Sequence, residues 1–516
     1  MEKNLFNAAL LTIILDPGSA MPLYRQLYTA MRQTILAGTL PGGTKLPSTR
    51  AFAQTLGVSR ATVIIAFEQL LYEGYIRGIV GSGTYVEHVL PDELLRLPNQ
   101  QLSSEQTQKA QADTQLSARG KIIANSTVAP LHNWDDVLLH RAFRHGVPAL
   151  HEFPFKLWSQ LAAKRWRNVD PTSFGYTDPA GFRPLRREIA HYLQTARGVS
   201  CSEEQIIIVA GSQQAINLSA QLLSDPGDDV WIEDPCYLGA RGALLSSGAH
   251  LVPVPIDAEG IDVAYGKAVS PQARMVYVTP SHQFPLGTTM SLLRRISLLH
   301  WAAHTGSWIL EDDYDGEYRY AGHPLASLQS LDQADRVIYI GTFSKVLFPG
   351  LRIGYLVSPP ALIDAFIAAR AAADRHAHML DQMVLTDFMA EEHFARHVRR
   401  MRALYEGRQA TLVRAAQHSF LADILIVEPD EAGMHLLAKL PLTRRDTEIT
   451  ALAASAGIAV TPVSKYYMKH PPTNALMLGY AAFNEQEIHR GIQALAAVLH
   501  STKNNDPAAA LDNDSG

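Results

Sequence analysis

Five apolar runs rich in β-branched residues recur along one stretch of this chain: "QIIIVA" (Gln205–Ala210), "DVWIED" (Asp229–Asp234), "RMVYVTP" (Arg274–Pro280), "SWILEDDY" (Ser307–Tyr314) and "RVIYIGT" (Arg336–Thr342). Most are apolar at consecutive rather than alternate positions, the pattern of a strand buried on both faces. Parallel neighbours need long crossovers, and helical patterns fill the gaps between these runs. They therefore predict an α/β domain with a mainly parallel sheet. Ligands of such sheets bind beyond the carboxyl ends of the strands, so chemistry is expected just past the runs.

At 516 residues the chain exceeds the roughly 250–300 residues at which one core stops growing, and more than one domain is expected. The reading is a first module over residues 1–88, a linker over 89–140, a large domain with a smaller C-terminal subdomain over 141–502, and a disordered tail over 503–516. Six glutamines between Gln100 and Gln115, with few large apolar residues, make the linker flexible or partly helical. Apolar residues at 47% and charged residues at 18% exclude a disordered or fibrous chain. Residues up to Glu87 carry +2 and the rest −7, so the front is mildly basic and the body acidic. Cys201 and Cys236 are too few for a disulfide framework and lack metal-ligand spacing, which suits a reducing cytosol and no metal. In "MEKNLFNAALLTIILDPGSA" the apolar run is interrupted by Thr12 and closed by Asp16. It reads as a short strand, "LTIIL", packing on the first module rather than as an export signal. No apolar stretch reaches the roughly 18 residues of a membrane span.

The first module has the pattern of a DNA reader. Leu23, Leu27, Met31 and Ile35 repeat at helical spacing and Gly38 ends the helix. In "PSTRAFAQTL" Ser48 stands at an N-cap, Gly57 turns the chain, and Ser59 caps "RATVIIAFEQLLYEG". Two short helices joined by a glycine turn form a helix-turn-helix, and "YIRGIVGSGTYV" adds a glycine hairpin, a wing. Arg60 and Thr62, on the first turn of the second helix, are expected at base edges. Lys45, Arg50 and the tip Ser82, Gly83 and Thr84 are expected at phosphates, with Ser48 and Ser59 among the DNA-facing residues. The partner is double-stranded operator DNA.

The large domain carries a second constellation. Lys345, in "GTFSKVLFPGLRIGY", follows the strand "RVIYIGT", where an amine can form a Schiff base with an aldehyde cofactor. Asp312 and Tyr314 lie two apart in a strand and share a face, one for a pyridinium proton and the other for a phenolic oxygen. Ser212 and Gln213 open a helix after a strand, a place for phosphate. Arg352 and Thr342 can reach the same group, guanidinium recognising phosphate by paired donors. Tyr237 can stack on a ring face.

"LPSTRAFAQTLGVSRATVIIAFEQLLYEGYI" with "GSGTYV" resembles the winged helix of the GntR transcription regulators, with Phe67 where that family often has tyrosine. From about Phe143 to Val498 the chain resembles the fold type I aminotransferases, through "SFGYTDPAGFRPLRREIAHYL", "GSQQAINL", "DPGDDVWIEDPCYLGA", "TPSHQFPLG", "EDDYDGEYRY" and "FSKVLFPGLRIGY". The resemblance implies pyridoxal 5′-phosphate as cofactor and Lys345 as the Schiff-base lysine. It implies cofactor contacts by Asp312, Tyr314, Tyr237, Ser212, Gln213 and Arg352, and a phosphate contact by Tyr176 to a neighbouring subunit. His282 or Gln283 matches the segment near the phenolic oxygen, where the usual asparagine is absent. The two modules together resemble the MocR group of bacterial regulators, which implies a cytoplasmic homodimer whose large domain senses an amino compound or the cofactor itself. The rival is an aminotransferase with an accessory DNA-binding arm, and the cofactor residues serve both readings. Relatives that grip a substrate carboxylate commonly have an arginine two residues before the glycine in the segment "ALMLGYAAF". Met477 stands there, and Arg241 is the substitute considered. The missing anchor favours the cofactor, and control of vitamin B6 supply, over a free amino acid.

Overall fold

The computed structural model describes residues 13–88, 116–125, 141–321, 326–418 and 424–503. The chain divides into two compact units between Gln115 and Leu116.

The first unit is a three-helix module with a wing. Helix α1 (Leu23–Leu36) buries Leu27, Met31 and Ile35, the stripe read from the sequence. Helix α2 (Thr49–Leu56) begins where the Ser48 hydroxyl accepts the Ala51 N–H at 3.2 Å, and stops at Gly57, whose φ of 65° a side chain would strain. Helix α3 (Arg60–Tyr72) begins the same way, Ser59 accepting the Thr62 N–H at 3.1 Å. Strands β1 (Ile76–Ile79) and β2 (Gly83–Val86) pair antiparallel as the wing. Phe52, Val63, Leu70, Ile76 and Val86 share one core, and burial of such side chains contributes about 1.5–3 kcal/mol each. Phe67 joins it, its ring 5.8 Å from that of Phe52. The strand expected at "LTIIL" does not form over its described residues, 13–15. The free edge of β2 is already taken by residues 43–46, which exchange backbone hydrogen bonds with Thr84 and Val86, and Ile13 contributes a buried side chain to the core instead.

In the second unit, β3 (Ile206–Val209), β4 (Asp229–Asp234), β5 (His250–Asp257), β6 (Gly260–Ile261), β7 (Met275–Val278), β8 (Trp308–Asp313), β9 (Val337–Thr342) and β10 (Gly354–Val357) form an eight-stranded sheet. Its order is β3-β10-β9-β8-β7-β4-β5-β6. The run β5-β4-β7-β8-β9 is parallel throughout, and all five runs read as strands lie in the sheet. Strand β10 is antiparallel to both its neighbours, since the connection from β9 is too short for a crossover. That short return puts residues 343–353, with Lys345 and Arg352, at the carboxyl end of β9. Ala118–Asn125 forms helix α4, and helices cover the sheet, among them α5 (Ser212–Leu223), which follows β3. Helix α4 falls inside the stretch read as linker, and the Arg119 guanidinium donates to the Ser246 carbonyl at 2.6 Å. The rest of that stretch, apart from residues 116–117, and the tail beyond 503 lie outside the described residues. A second, antiparallel sheet of β11 (Ile426–Val427), β12 (His435–Lys439), β13 (Thr461–Pro462) and β14 (Ala475–Gly479), ordered β11-β12-β14-β13, forms the smaller C-terminal subdomain. Among the described residues no helix is long and apolar enough to cross a membrane.

Candidate functional site

The carboxyl ends of β3, β8 and β9 open on a cavity of about 240 Å³. Ser212, Gln213, Tyr237, Asp312, Tyr314, Thr342, Lys345 and Arg352 all line it. Lys345 is half-buried and its Nζ donates to the Gly146 carbonyl at 2.8 Å. Burial lowers its pKa, which favours the uncharged amine over the ammonium. Arg352 adopts φ 51°, which turns its side chain back toward the start of α5, where the guanidinium donates to the Ala210 carbonyl at 2.6 Å. Gly211, at φ 93°, lets the chain turn sharply from β3 into α5 beside that guanidinium. The helix N-terminus, with its unpaired N–H groups and dipole, thus meets Arg352 at one end of the cavity.

On β8, one carboxylate oxygen of Asp312 accepts the Tyr277 hydroxyl at 2.8 Å, and the other, Oδ1, is buried with no partner. Burial, with help from Asp313 and Asp315, raises this carboxyl to about 7. An orphaned carboxylate oxygen here fits a protonated ring nitrogen, and a buried amine, an anion-binding helix start and the Tyr237 ring complete a set that suits pyridoxal phosphate. Tyr237 is held from behind by Gln213, whose Oε1 lies 3.4 Å from the phenol oxygen.

His282 is a correction. It does not line the cavity but stands behind Tyr314, with Nδ1 3.0 Å from the phenol oxygen and 2.9 Å from Asp315. Gln283 also turns away, donating to Glu233, Pro235 and Phe284. The wall there is Phe284, its ring centroid 5.9 Å from those of Tyr237 and Tyr314. The segment 279–287 is irregular, so no period fixes which of its side chains points inward. Tyr176 lies away from this cavity, 85% exposed, with the Arg375 guanidinium 5.1 Å from its ring centroid. The sequence reading also omitted His145, Gly146, Tyr277, Asp315, Met434 and His435, all on the cavity wall. Of these only Tyr277 had a local signal, a hydroxyl inside a wholly apolar run. Met477 is fully buried in an apolar cluster with Val463 and Tyr466, packed against Phe284, and neither it nor Arg241 lines the cavity.

In the first unit Arg50 and Arg60 are exposed on the first turns of α2 and α3. The Arg60 Nε lies 3.4 Å from the Thr49 hydroxyl. Ser48 and Ser59 spend their hydroxyls on caps, and Thr62 Oγ1 lies 2.8 Å from that of Ser59. At the wing the Ser82 hydroxyl meets that of Tyr85 at 2.6 Å, and the Lys45 ammonium sits 5.7 Å from the Tyr85 ring centroid. Gly83 holds φ 124° and Thr84 is half-buried.

Comparison with known proteins bears on both units. The family "Bacterial regulatory proteins, gntR family" matches residues 23–86, and "Aminotransferase class I and II" matches residues 150–495. The chain is 39% identical over 488 residues to the probable rhizopine catabolism regulatory protein MocR of Rhizobium meliloti, covering 94% of this chain and 96% of that one. It is 30% identical over 482 residues to the pyridoxine biosynthesis transcriptional regulator PdxR of Corynebacterium glutamicum, covering 93% and 96%. The crystal structure of LysN, an α-aminoadipate aminotransferase from Thermus thermophilus complexed with N-(5′-phosphopyridoxyl)-L-leucine, matches with a TM-score of 0.65 at 29% identity, over 71% of this chain and 94% of that one. With likeness spanning both units at once, the chain belongs to the MocR-type transcription regulators, in which a GntR-family DNA-binding module is joined to an aminotransferase class I and II domain whose cofactor is pyridoxal 5′-phosphate.

Proposed function

We propose that this regulator reads pyridoxal 5′-phosphate itself, and that two copies of the chain pair so that their winged helices address two operator half-sites. The distribution of cations carries the effector reading. Among the described residues that line the cavity Arg352 is the only arginine, and it stands at the start of α5, where a phosphate belongs. None is left for the carboxylate of a free amino acid, and an unpaired buried carboxylate would be costly.

In this reading Lys345 presents the amine that captures the aldehyde, and Asp312 Oδ1 accepts the ring-nitrogen proton. Tyr237 covers one ring face and Tyr314 donates to the phenolic oxygen. Ser212, Gln213, Thr342 and Arg352 hold the phosphate, joined by Tyr176 of the other copy. The bound group supplies an aldehyde and an electron-withdrawing ring. His282 acts through Tyr314 rather than on the ligand. A ligand with different affinities for two arrangements of the dimer biases DNA binding, and operator DNA must bias ligand affinity equally. Operator binding puts the protein with the chromosome, in the cytoplasm.

The test captures operator fragments from genomic DNA with purified protein, with and without pyridoxal phosphate, for wild type and Lys345→Ala. Operator affinity should shift by about 5- to 150-fold in wild type, the usual range of such coupling, and by much less in the variant. Borohydride reduction should leave the adduct on the peptide that contains Lys345. An amino acid that shifts operator affinity at fixed cofactor occupancy, or rapid multiple-turnover transamination, would sink the proposal.

A further inference from the structure

We infer that the second unit holds a ligand pocket apart from the cofactor cavity, and that this pocket takes a small hydroxylated carboxylic acid. It lies between the start of the helix Phe155–Arg167 and the start of the long helix His393–His418. Its volume is about 160 Å³, and Pro154, Leu157, His393, Arg396, His397 and Arg400 line it. None of these residues lines the cofactor cavity, so the inference does not depend on what fills that cavity.

The four residues from the long helix stand at positions i, i+3, i+4 and i+7, so they share one face and neighbour one another. His397 is the buried member, 5% exposed. Its Nε2 lies 3.1 Å from the Val346 carbonyl oxygen. A carbonyl can only accept, so Nε2 carries the proton. Burial, with the charge of Arg400 beside it, outweighs that hydrogen bond and holds the ring down at about 4. The ring is therefore neutral near pH 7, and Nδ1 keeps its lone pair. That nitrogen is buried with no partner among the described residues, whereas buried polar atoms are nearly always hydrogen-bonded. The floor of the pocket asks for a hydrogen-bond donor.

The mouth has the opposite demand. Arg396 and Arg400 are exposed there, and each spends part of its guanidinium on a backbone carbonyl, Arg396 on that of Glu391 at 2.8 Å and Arg400 on that of Glu152. Arg396 also donates to His393 Nδ1 at 2.8 Å, so that imidazole is an acceptor and neutral too. Carbonyls and a neutral ring cancel no charge, and among the described residues neither guanidinium is ion-paired. The acid beside them is Glu391, whose carboxylate lies 3.3 Å from His393 Nε2 and is paired with Lys164 at 3.1 Å. Two cations thus face one acceptor across an apolar wall of Pro154 and Leu157.

A purely apolar ligand would leave Nδ1 unpaired, and a plain carboxylate would bring it no hydrogen. A hydroxyl on an aromatic or aliphatic body supplies that hydrogen. A carboxylate at the other end meets the guanidiniums, whose forked donors match its two oxygens. Through Nε2–H the same imidazole holds the peptide that follows Lys345, which ties the floor of this pocket to the lysine loop.

Calorimetric titration of the full chain tests this with para-hydroxybenzoate as probe. The controls are benzoate, which lacks the hydroxyl, and para-hydroxybenzamide, which lacks the charge. The probe should bind at least about tenfold more tightly than either, the scale of one hydrogen bond to a buried or charged group. Arg400→Gln, at an exposed position, should remove most of the preference over the amide. His397→Phe should remove the preference over benzoate, while the Tyr318 hydroxyl, 3.2 Å from the Val346 carbonyl oxygen, keeps that carbonyl paired. If His397→Phe does not fold, the wild-type comparison and Arg400→Gln decide the matter. A probe that does not bind, or binds no better than both controls, would overturn the inference. Preferences that survive in Arg400→Gln would also overturn it, because the probe would then sit elsewhere.

Discussion

Two carboxylates close on the buried ring of His282 from opposite nitrogens, Asp315 at 2.9 Å and Asp430 at 3.5 Å. Burial opposes the imidazolium, but the two acids together outweigh it and raise the pKa to about 10. With both nitrogens protonated, the Nδ1 proton is shared between Asp315 and the Tyr314 oxygen, which leaves the Tyr314 hydroxyl free to donate into the cavity. Gly433, at φ 94°, is needed here, because a Cβ would lie 2.2 Å from the ring of His282. The sign of the pH dependence follows. A folded pKa raised from 6.5 to about 10 adds stability that is complete below pH 6.5 and is lost as pH rises through 10. Asp430→Asn should therefore lower the thermal midpoint most near neutral pH. The gap from wild type should shrink toward pH 10, as calorimetry across that range would show. A gap that does not change with pH would refute the charged state of His282.

At the scale of elements, the short β9–β10 return and the two capped helices each gather a site from a few consecutive residues. Lys345 and Arg352 share one loop, so the amine and the guanidinium proposed to hold phosphate are positioned by the same backbone. In the first unit the caps at Ser48 and Ser59 fix where α2 and α3 begin, and so where Arg50 and Arg60 project. Arg50→Ala should weaken binding to every DNA sequence and reduce the salt slope by about 1, because a phosphate contact releases counterions. Arg60→Ala should cost about 1–3 kcal/mol on the operator and relax selectivity at one base position. Fluorescence anisotropy over a salt series separates the two outcomes. Affinity and slope unchanged in both variants would refute the placement of this helix pair on DNA.

For the whole molecule the expectation is a two-fold dimer of 56.7 kDa chains in which each site borrows Tyr176 from the other copy. Tyr176 fits that role through its exposure and its distance from the residues of its own cavity. Complementation tests it. Lys345→Ala lacks the capturing amine in both sites of its dimer, and Tyr176→Ala weakens both sites of its own. A mixed dimer of the two variants should regain one intact site, about half the wild-type occupancy per chain. Mixed dimers no better than either parent, or a monomer by sedimentation, would exclude the shared site.

Much of this protein was legible in its sequence because much of it is set locally. A strand buried on both faces must be apolar at successive positions, which exposed β3, β4, β7, β8 and β9. Ser48, Gly57 and Ser59 mark helix ends through their own backbone and hydroxyl chemistry. Lys345 and Ser212 could be singled out because position just past a strand follows from the run itself, and Asp312 because residues two apart in a strand share a face. The local pattern did not reach the opposite side of the cavity. His145, Phe284, Asp315 and His435 are far apart in the chain, and they meet because β12 pairs with β14 and the C-terminal subdomain packs beside the ends of β8 and β9. The inward turn of His282 to Asp315 and Asp430 was not legible, because irregular backbone has no period from which its direction could be assigned. That Met477 replaces an expected arginine was visible in the sequence, but that apolar packing seals the place it leaves was decided only by the fold, because closure is a property of all the surfaces that meet there.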